Sequence, residues 1–282
     1  MSNNNMTKKN TIALKSIHIY TLLKGLIVGG TMLVPGVSGG SMAMILGIYD
    51  KLISSISSFS KNVKRNLLFL IFFALGGTIG IILFANPILS LIETYPLPTL
   101  YFFLGAVAGG IPLIIKQSEV KSFSYKVPIF ITIGIILVLA LASIPTGMFV
   151  MNDKTSFTGF ILLLAAGIIA AIALVLPGIS VSYLLLVMGL YDTTMEAIST
   201  FNFAFLIPLG VGVLLGIILT TKMLEYALSH HTTSTYLIIL GFVLGSIYEI
   251  FPGIPTGIEI IICGLSSLSG YCFISYLSKL ES

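Results

Sequence analysis

Tryptophan is absent from this 282-residue sequence, arginine occurs once, at Arg65, and there are only two cysteines and three histidines. Charge is short as well: Asp, Glu, Lys and Arg supply 9% of the residues, against 56% that are hydrophobic. A soluble domain is about one-quarter charged, so this chain cannot cover itself with a polar surface. His18, His230 and His231 show no metal-ligand spacing, so no metal site and no cofactor is expected. Cys263 and Cys272 stand nine residues apart in the last apolar segment. On one helix that is about 13 Å of rise, too far for a disulfide, and they read as small apolar fillers. No polar stretch exceeds a loop, which leaves no room for a separate soluble domain, and no nucleic-acid partner is expected.

What the chain has instead is apolar length, with a mean hydropathy of +1.09. No charge falls between Leu67 and Leu83, between Leu97 and Ile115, or between Val127 and Asn152. Each run suffices for a helix to cross a bilayer, which takes about 20 residues. Residues 1–15 are polar and mildly basic (Lys8, Lys9, Lys15). No short apolar core with a small-residue cleavage site follows them, so no cleaved signal peptide is expected.

The sequence repeats itself. Pro35-Gly36-Val37-Ser38 returns 142 positions later as Pro177-Gly178-Ile179-Ser180, and at the same offset Gly47, Tyr49 and Asp50 meet Gly189, Tyr191 and Asp192. After a six-residue change in loop length the offset becomes 136, where Gly76 and Gly80 match Gly212 and Gly216, and Gly105 and Gly109 match Gly241 and Gly245. Each of these pairs is a G-x-x-x-G, the spacing that lets membrane helices approach backbone to backbone. Packing is the role this spacing predicts.

Residues 16–150 and 157–278 are therefore expected to be two repeats, each a motif region followed by three spans. The spans fall near 67–86, 98–115 and 127–149, then near 203–221, 235–250 and 258–278. In both motif regions Pro-Gly interrupts an apolar run, because proline removes a helix hydrogen bond and glycine permits an unwound backbone. Two structures satisfy this pattern: a re-entrant helical hairpin with its tip near Pro35 or Pro177, or a pair of kinked full spans. Either gives each half an odd number of crossings, so the second repeat is expected upside down relative to the first. With residues 1–15 in the cytoplasm, thirteen of the fourteen basic residues fall inside and only Lys154 outside, as the positive-inside rule requires. Both termini are then cytoplasmic. The predicted fold class is all-α integral membrane, with two inverted-topology repeats.

The first tip, Pro35 to Ser41, is followed by an apolar run to Ile53 read as one helix. Backbone N–H groups at such a helix start favour an anion. Gly36, Gly39 and Gly40 allow close approach, and Ser38 and Ser41 add hydroxyls. Gly178, Ser180 and Ser182 hold the equivalent places in the second tip. The plainer reading of these residues is that they satisfy a broken helix and pack tightly. Lys24 either attracts an anion or snorkels to the headgroups. Asp50 and Asp192, read as ending the re-emerging helices, are either interfacial carboxylates or sites of proton coupling. Paired interruptions at matching places of two repeats point to the binding site of a transporter.

Lys24-Gly25, Pro35 through Ser41 and Gly47 through Ile53 together resemble the signature of the bacterial polyprenyl-phosphate translocase family (PopT), and Pro177 to Ser180 with Gly189-Leu190-Tyr191 resembles its second motif. The likeness covers nearly the whole chain after the polar N-terminus. It implies a bacterial inner-membrane protein that returns undecaprenyl phosphate from the outer to the inner leaflet for cell-envelope synthesis, with protons as a plausible coupling partner. One departure is Val181, where the family's second motif continues with glycine; its branched side chain would hinder close backbone approach. Two rival readings remain. A carrier or channel for a small soluble anion would share the tips. A membrane lipid phosphatase would need acid–base residues and cationic clamps, and the tips hold no His, Arg, Asp or Glu.

Overall fold

The computed structural model describes residues 18–34, 37–120, 124–145 and 157–279. Among these every element is helical. Helix α1 occupies residues 18–31, followed by α2 (Gly39–Ile45), α3 (Tyr49–Ser57), a 3-10 turn (Phe59–Asn62), α4 (Val63–Thr94), α5 (Pro96–Gln117) and α6 (Lys126–Ala142). The same series then recurs as α7 (Phe157–Val175), α8 (Val181–Val187), α9 (Tyr191–Ser199), α10 (Phe203–His230), α11 (Thr232–Ile250) and α12 (Glu259–Lys279).

Glycine decides how these helices pair. A Cβ at Gly76 would stand 2.1 Å from the Leu22 carbonyl oxygen, and one at Gly80 2.1 Å from that of Leu26. Helix α4 thus lies backbone to backbone on α1. In the second half Gly212 meets the Leu164 carbonyl at 2.1 Å and Gly216 faces Ile168 and Ala171, which sets α10 on α7 in the same manner. The remaining two pairs join the halves. Gly105 and Gly109 of α5 meet Ser267 and Tyr271 of α12, while Gly241 and Gly245 of α11 meet Ile131 and Val138 of α6. Each half therefore lends its fifth helix to the sixth of the other. Small residues at the contact are what lipid-embedded helices need, since no hydrophobic force pushes them together.

Five helices (α4, α5, α7, α10 and α12) are long and apolar enough to cross a membrane, and α6 and α11 are shorter apolar helices. Their outer faces carry bare apolar side chains, such as Ile82 at 73%, Leu214 at 64% and Ile261 at 64% exposure. In water such a surface would aggregate; facing acyl chains it is solvated. The chain is an all-α, multi-pass membrane protein.

Three local expectations are corrected. The span near 67–86 does not stop before Pro87: α4 runs through it to Thr94. A proline inside a helix removes one hydrogen bond, and the bonds of the flanking turns carry the helix past it. Likewise α10 continues beyond residue 221 to His230. The apolar run from the first tip to Ile53 is two helices rather than one. Gly47 adopts φ +64 between α2 and α3, and Gly189 adopts φ +64 between α8 and α9, a conformation that breaks a right-handed helix and favours glycine. As a result Asp50 and Asp192 sit in the first turns of α3 and α9, instead of ending the returning arms. An acidic side chain there is favoured by the unpaired N–H groups of a helix start.

Candidate functional site

The two tips are built alike. Ser38 is the N-cap of α2 with φ −85 and ψ 136, and Ser180 the N-cap of α8 with φ −84 and ψ 120. In each the Oγ accepts the N–H three residues on, from Ser41 and from Tyr183, at 3.3 Å in both cases. Capping uses the oxygen and leaves the hydroxyl proton free to donate. Helices α2 and α8 are only seven residues long, so the site draws on first-turn N–H groups and hydroxyls more than on any helix-long dipole.

The tips also meet. A Cβ on Gly40 would stand 3.2 Å from Pro177 and 3.3 Å from the Val175 carbonyl oxygen. Gly178 has φ +79, and a Cβ there would stand 2.4 Å from the Phe242 carbonyl oxygen of α11. This tip is therefore glycine for conformation and for space at once.

Beside the contact lies a cavity of about 610 Å³ lined by both tips. Ser38 and Gly39 come from the first, Ser180, Val181 and Ser182 from the second, with Met32 and Leu33 just past the end of α1, and Tyr191 and Tyr248. No Asp, Glu, Lys or Arg lines it among the described residues. Such a wall suits an anionic group that brings its own charge and is held by N–H and O–H donors, as in backbone anion nests.

Of the residues singled out from sequence, Ser38, Gly39, Ser180 and Ser182 line this cavity. Gly40 and Gly178 are not in its wall and stand at the contacts just described. Gly36 lies outside the described residues. The Ser41 hydroxyl is buried with no hydrogen-bond partner among the described residues, and it is not part of the cavity wall. Lys24 stands apart, on α1, near enough to Lys51 to act on its charge. Asp50 and Asp192 are both exposed, and Asp50 accepts a hydrogen bond from the Tyr236 hydroxyl of α11. A second, polar pocket gathers Lys51, Lys61, Arg65 and Glu225, where the Glu225 carboxylate accepts from Ser57 and Ser58.

Sequence reasoning missed the tyrosines. Tyr49 is 3% exposed, and its hydroxyl donates to the Val175 carbonyl at 2.7 Å. Tyr183 donates to the carbonyls of Ala142 and Ile144 at 2.9 and 2.6 Å, tying α8 to the end of α6. Tyr191 faces the cavity. That Tyr49 and Tyr191 are identical across the repeat was the available signal.

Two known proteins are similar to this chain over most of its length. A polyprenyl-phosphate transporter of Staphylococcus aureus is 38% identical over 254 residues, covering 84% of this chain and 87% of that protein. One of Vibrio cholerae is 30% identical over 249 residues, covering 83% and 78%. Both relatives are named as transporters and neither as an enzyme. No solved structure shows a significant match. The VCA0040-like family, described as undecaprenyl phosphate translocase-like, matches residues 28–261, and the chain belongs to it.

Proposed function

We propose that this protein carries polyprenyl phosphate, in the first instance undecaprenyl phosphate, from the outer to the inner leaflet of the bacterial cytoplasmic membrane, with the phosphate held between the two tips. One observation carries the reading: N-capped tips from both repeats line one uncharged, donor-bearing cavity. The names of the two relatives supply the lipid class. Recycling of the carrier lipid for cell-envelope synthesis follows from that direction of movement.

Inversion of the repeats is part of the proposal. Glu225, late in α10, contacts Ser58, just before α4 begins, so corresponding helices run in opposite senses there. With the termini in the cytoplasm by the charge rule, Lys51, Lys61 and Arg65 face inward. The cavity then opens toward the outer ends of α6 and α11, at Ala142 and Tyr248, where a lipid of the outer leaflet loads.

Proton coupling is assigned to Asp50, which is hydrogen-bonded across the halves to Tyr236, in preference to its repeat counterpart Asp192. Asp50→Asn is expected to abolish the acceleration of transport by an imposed proton gradient, and Asp192→Asn to preserve at least half of it. Equal responses of the two variants would remove Asp50 from the coupling role.

The function is tested in vesicles holding undecaprenyl phosphate in one leaflet, by following lipid sidedness and released phosphate together. Movement of the intact ester, with undecaprenol ignored, is expected. Movement of inorganic phosphate alone would make the protein a soluble-anion carrier, and release of phosphate would make it a phosphatase. Either result would refute the proposal.

A further inference from the structure

The two repeats have the same tyrosine in the same place, yet the structure treats them differently. Tyr49 opens α3, is buried, and donates to the Val175 carbonyl at the end of α7. At the 142 offset Tyr191 corresponds to Tyr49, and Leu33 to Val175. The matching bond would run from the Tyr191 hydroxyl to the Leu33 carbonyl, but Tyr191 and Leu33 line the open cavity. Among the described residues, the Tyr191 hydroxyl has no partner.

The surroundings differ in the same sense. At the Tyr49 end, α3 is pinned to the other repeat through Asp50–Tyr236 and through Ser57 and Ser58 to Glu225, and it packs on α10. Helix α9, its counterpart, has no comparable packing on α4 among the described residues. The ends of the first arms differ too: α7 is helical through Val175, whereas α1 ends at residue 31, two positions earlier in the repeat frame, and residues 32–34 form a turn along the cavity.

We infer that Tyr49 and Tyr191 are the two gates of the carrier, each closing one side of the site by donating to the last carbonyls of the opposite repeat's first arm. The structure is the state closed by Tyr49 and open at Tyr191. In the alternate state Tyr191 reaches the Leu33 carbonyl as residues 32–34 rewind, and Tyr49 releases Val175. One tyrosine–carbonyl bond replaces another, so the two states differ little in hydrogen bonding and a bound ligand can tip them. A near-balanced pair of states is what alternating access between repeats requires. The inference rests on reading the cavity as the carrier's site, but its test needs no lipid.

The test uses full-length protein in detergent, with Cys263→Ala and Cys272→Ala as background. Ala142→Cys, in the open cavity, reports the Tyr191 side. Ile56→Cys, in the apolar pocket beneath Tyr49, reports the Tyr49 side. Maleimide labelling rates are read for each reporter. Tyr49→Phe leaves a buried carbonyl unpaired, which shifts such an equilibrium by about tenfold. Labelling at Ile56→Cys is expected to rise by about that factor, and labelling at Ala142→Cys to fall.

Tyr191→Phe removes the alternate closure instead. It is expected to slow Ile56→Cys labelling about tenfold, with Ala142→Cys labelling unchanged or faster. Tyr191 is partly exposed and unbonded, so this variant keeps the test open should the Tyr49 change impair folding. Shifts of the same sign from both variants, or no shift from Tyr191→Phe in protein that elutes as a single folded species, would overturn the gating pair. Failure of the vesicle assay would leave these labelling results standing, so the two inferences fail separately.

Discussion

Gly105→Ala is expected to leave almost no folded protein in the membrane, although it adds one methyl group. That Cβ would stand 1.8 Å from the Ser267 carbonyl oxygen, and from the other side a Cβ at Gly270 would stand 2.0 Å from that of Phe102. Helices α5 and α12 thus interlock through backbone, which has no rotamer to turn aside. Separating them by more than an ångström forfeits packing along both helices, with a cost of about 3 kcal/mol, the top of the usual range for overpacking.

Lipid offers no hydrophobic force to press the helices back together, and this pair is one of the two glycine-lined pairs that join the halves. Gly76→Ala, facing the Leu22 carbonyl at 2.1 Å, is expected to fail in the same way. Gly210→Ala serves as the neutral control: a Cβ there meets nothing within 4 Å, and alanine improves a helix interior by about 1 kcal/mol. Size-exclusion profiles of the solubilised variants decide the matter. If Gly105→Ala yields as much monodisperse protein as Gly210→Ala, the backbone interlock is not what holds the halves.

The second large effect falls on function with the fold retained. Replacing Ser38 and Ser180 together by alanine is expected to slow lipid movement by at least a hundredfold. As caps, each serine stabilises its helix by about 1 kcal/mol, a loss that a tip packed against its partner tolerates. As donors they do more. A hydrogen bond to a charged group contributes about 1.5–3 kcal/mol, or roughly ten- to a hundredfold for each serine.

Threonine at both positions retains the cap and the hydroxyl, and should restore most of the rate. Initial rates are normalised to folded protein. A loss of no more than twofold in the double alanine variant would mean that the serines only cap their helices. Rescue by threonine separates the two roles less sharply, so the size of the alanine loss carries the decision.

Much of this architecture was legible in the sequence because duplication writes everything twice. The Pro-Gly-x-Ser breaks and the four G-x-x-x-G pairs stood out by register alone, and the structure sets each glycine pair against a neighbouring helix. The break at Gly47 was hidden in a continuous apolar run. Only backbone geometry reveals it, although the recurrence of Gly before Leu or Ile and Tyr-Asp in both copies was a usable sign. Helix α4 outruns the expected span near 67–86, passing through Pro87 to Thr94. The gates were illegible for a stronger reason: Tyr49 and Tyr191 are identical in sequence and differ only in the state the molecule occupies. An asymmetry of conformation cannot be read from a symmetric pair of motifs.

The central claim is that a polyprenyl phosphate head group sits between the tips, and ligand protection tests it most directly. A water-soluble short-chain polyprenyl phosphate is added to detergent-solubilised protein carrying the Ala142→Cys or the Ile56→Cys reporter, and maleimide labelling is timed. The account predicts that the phosphate ester slows labelling at Ala142→Cys without speeding it at Ile56→Cys, which marks occupancy rather than a change of state. The matching alcohol should do neither, and Ser38→Ala with Ser180→Ala should abolish the protection. Equal protection by the alcohol, or protection that survives loss of both serines, would place the head group elsewhere and contradict the account.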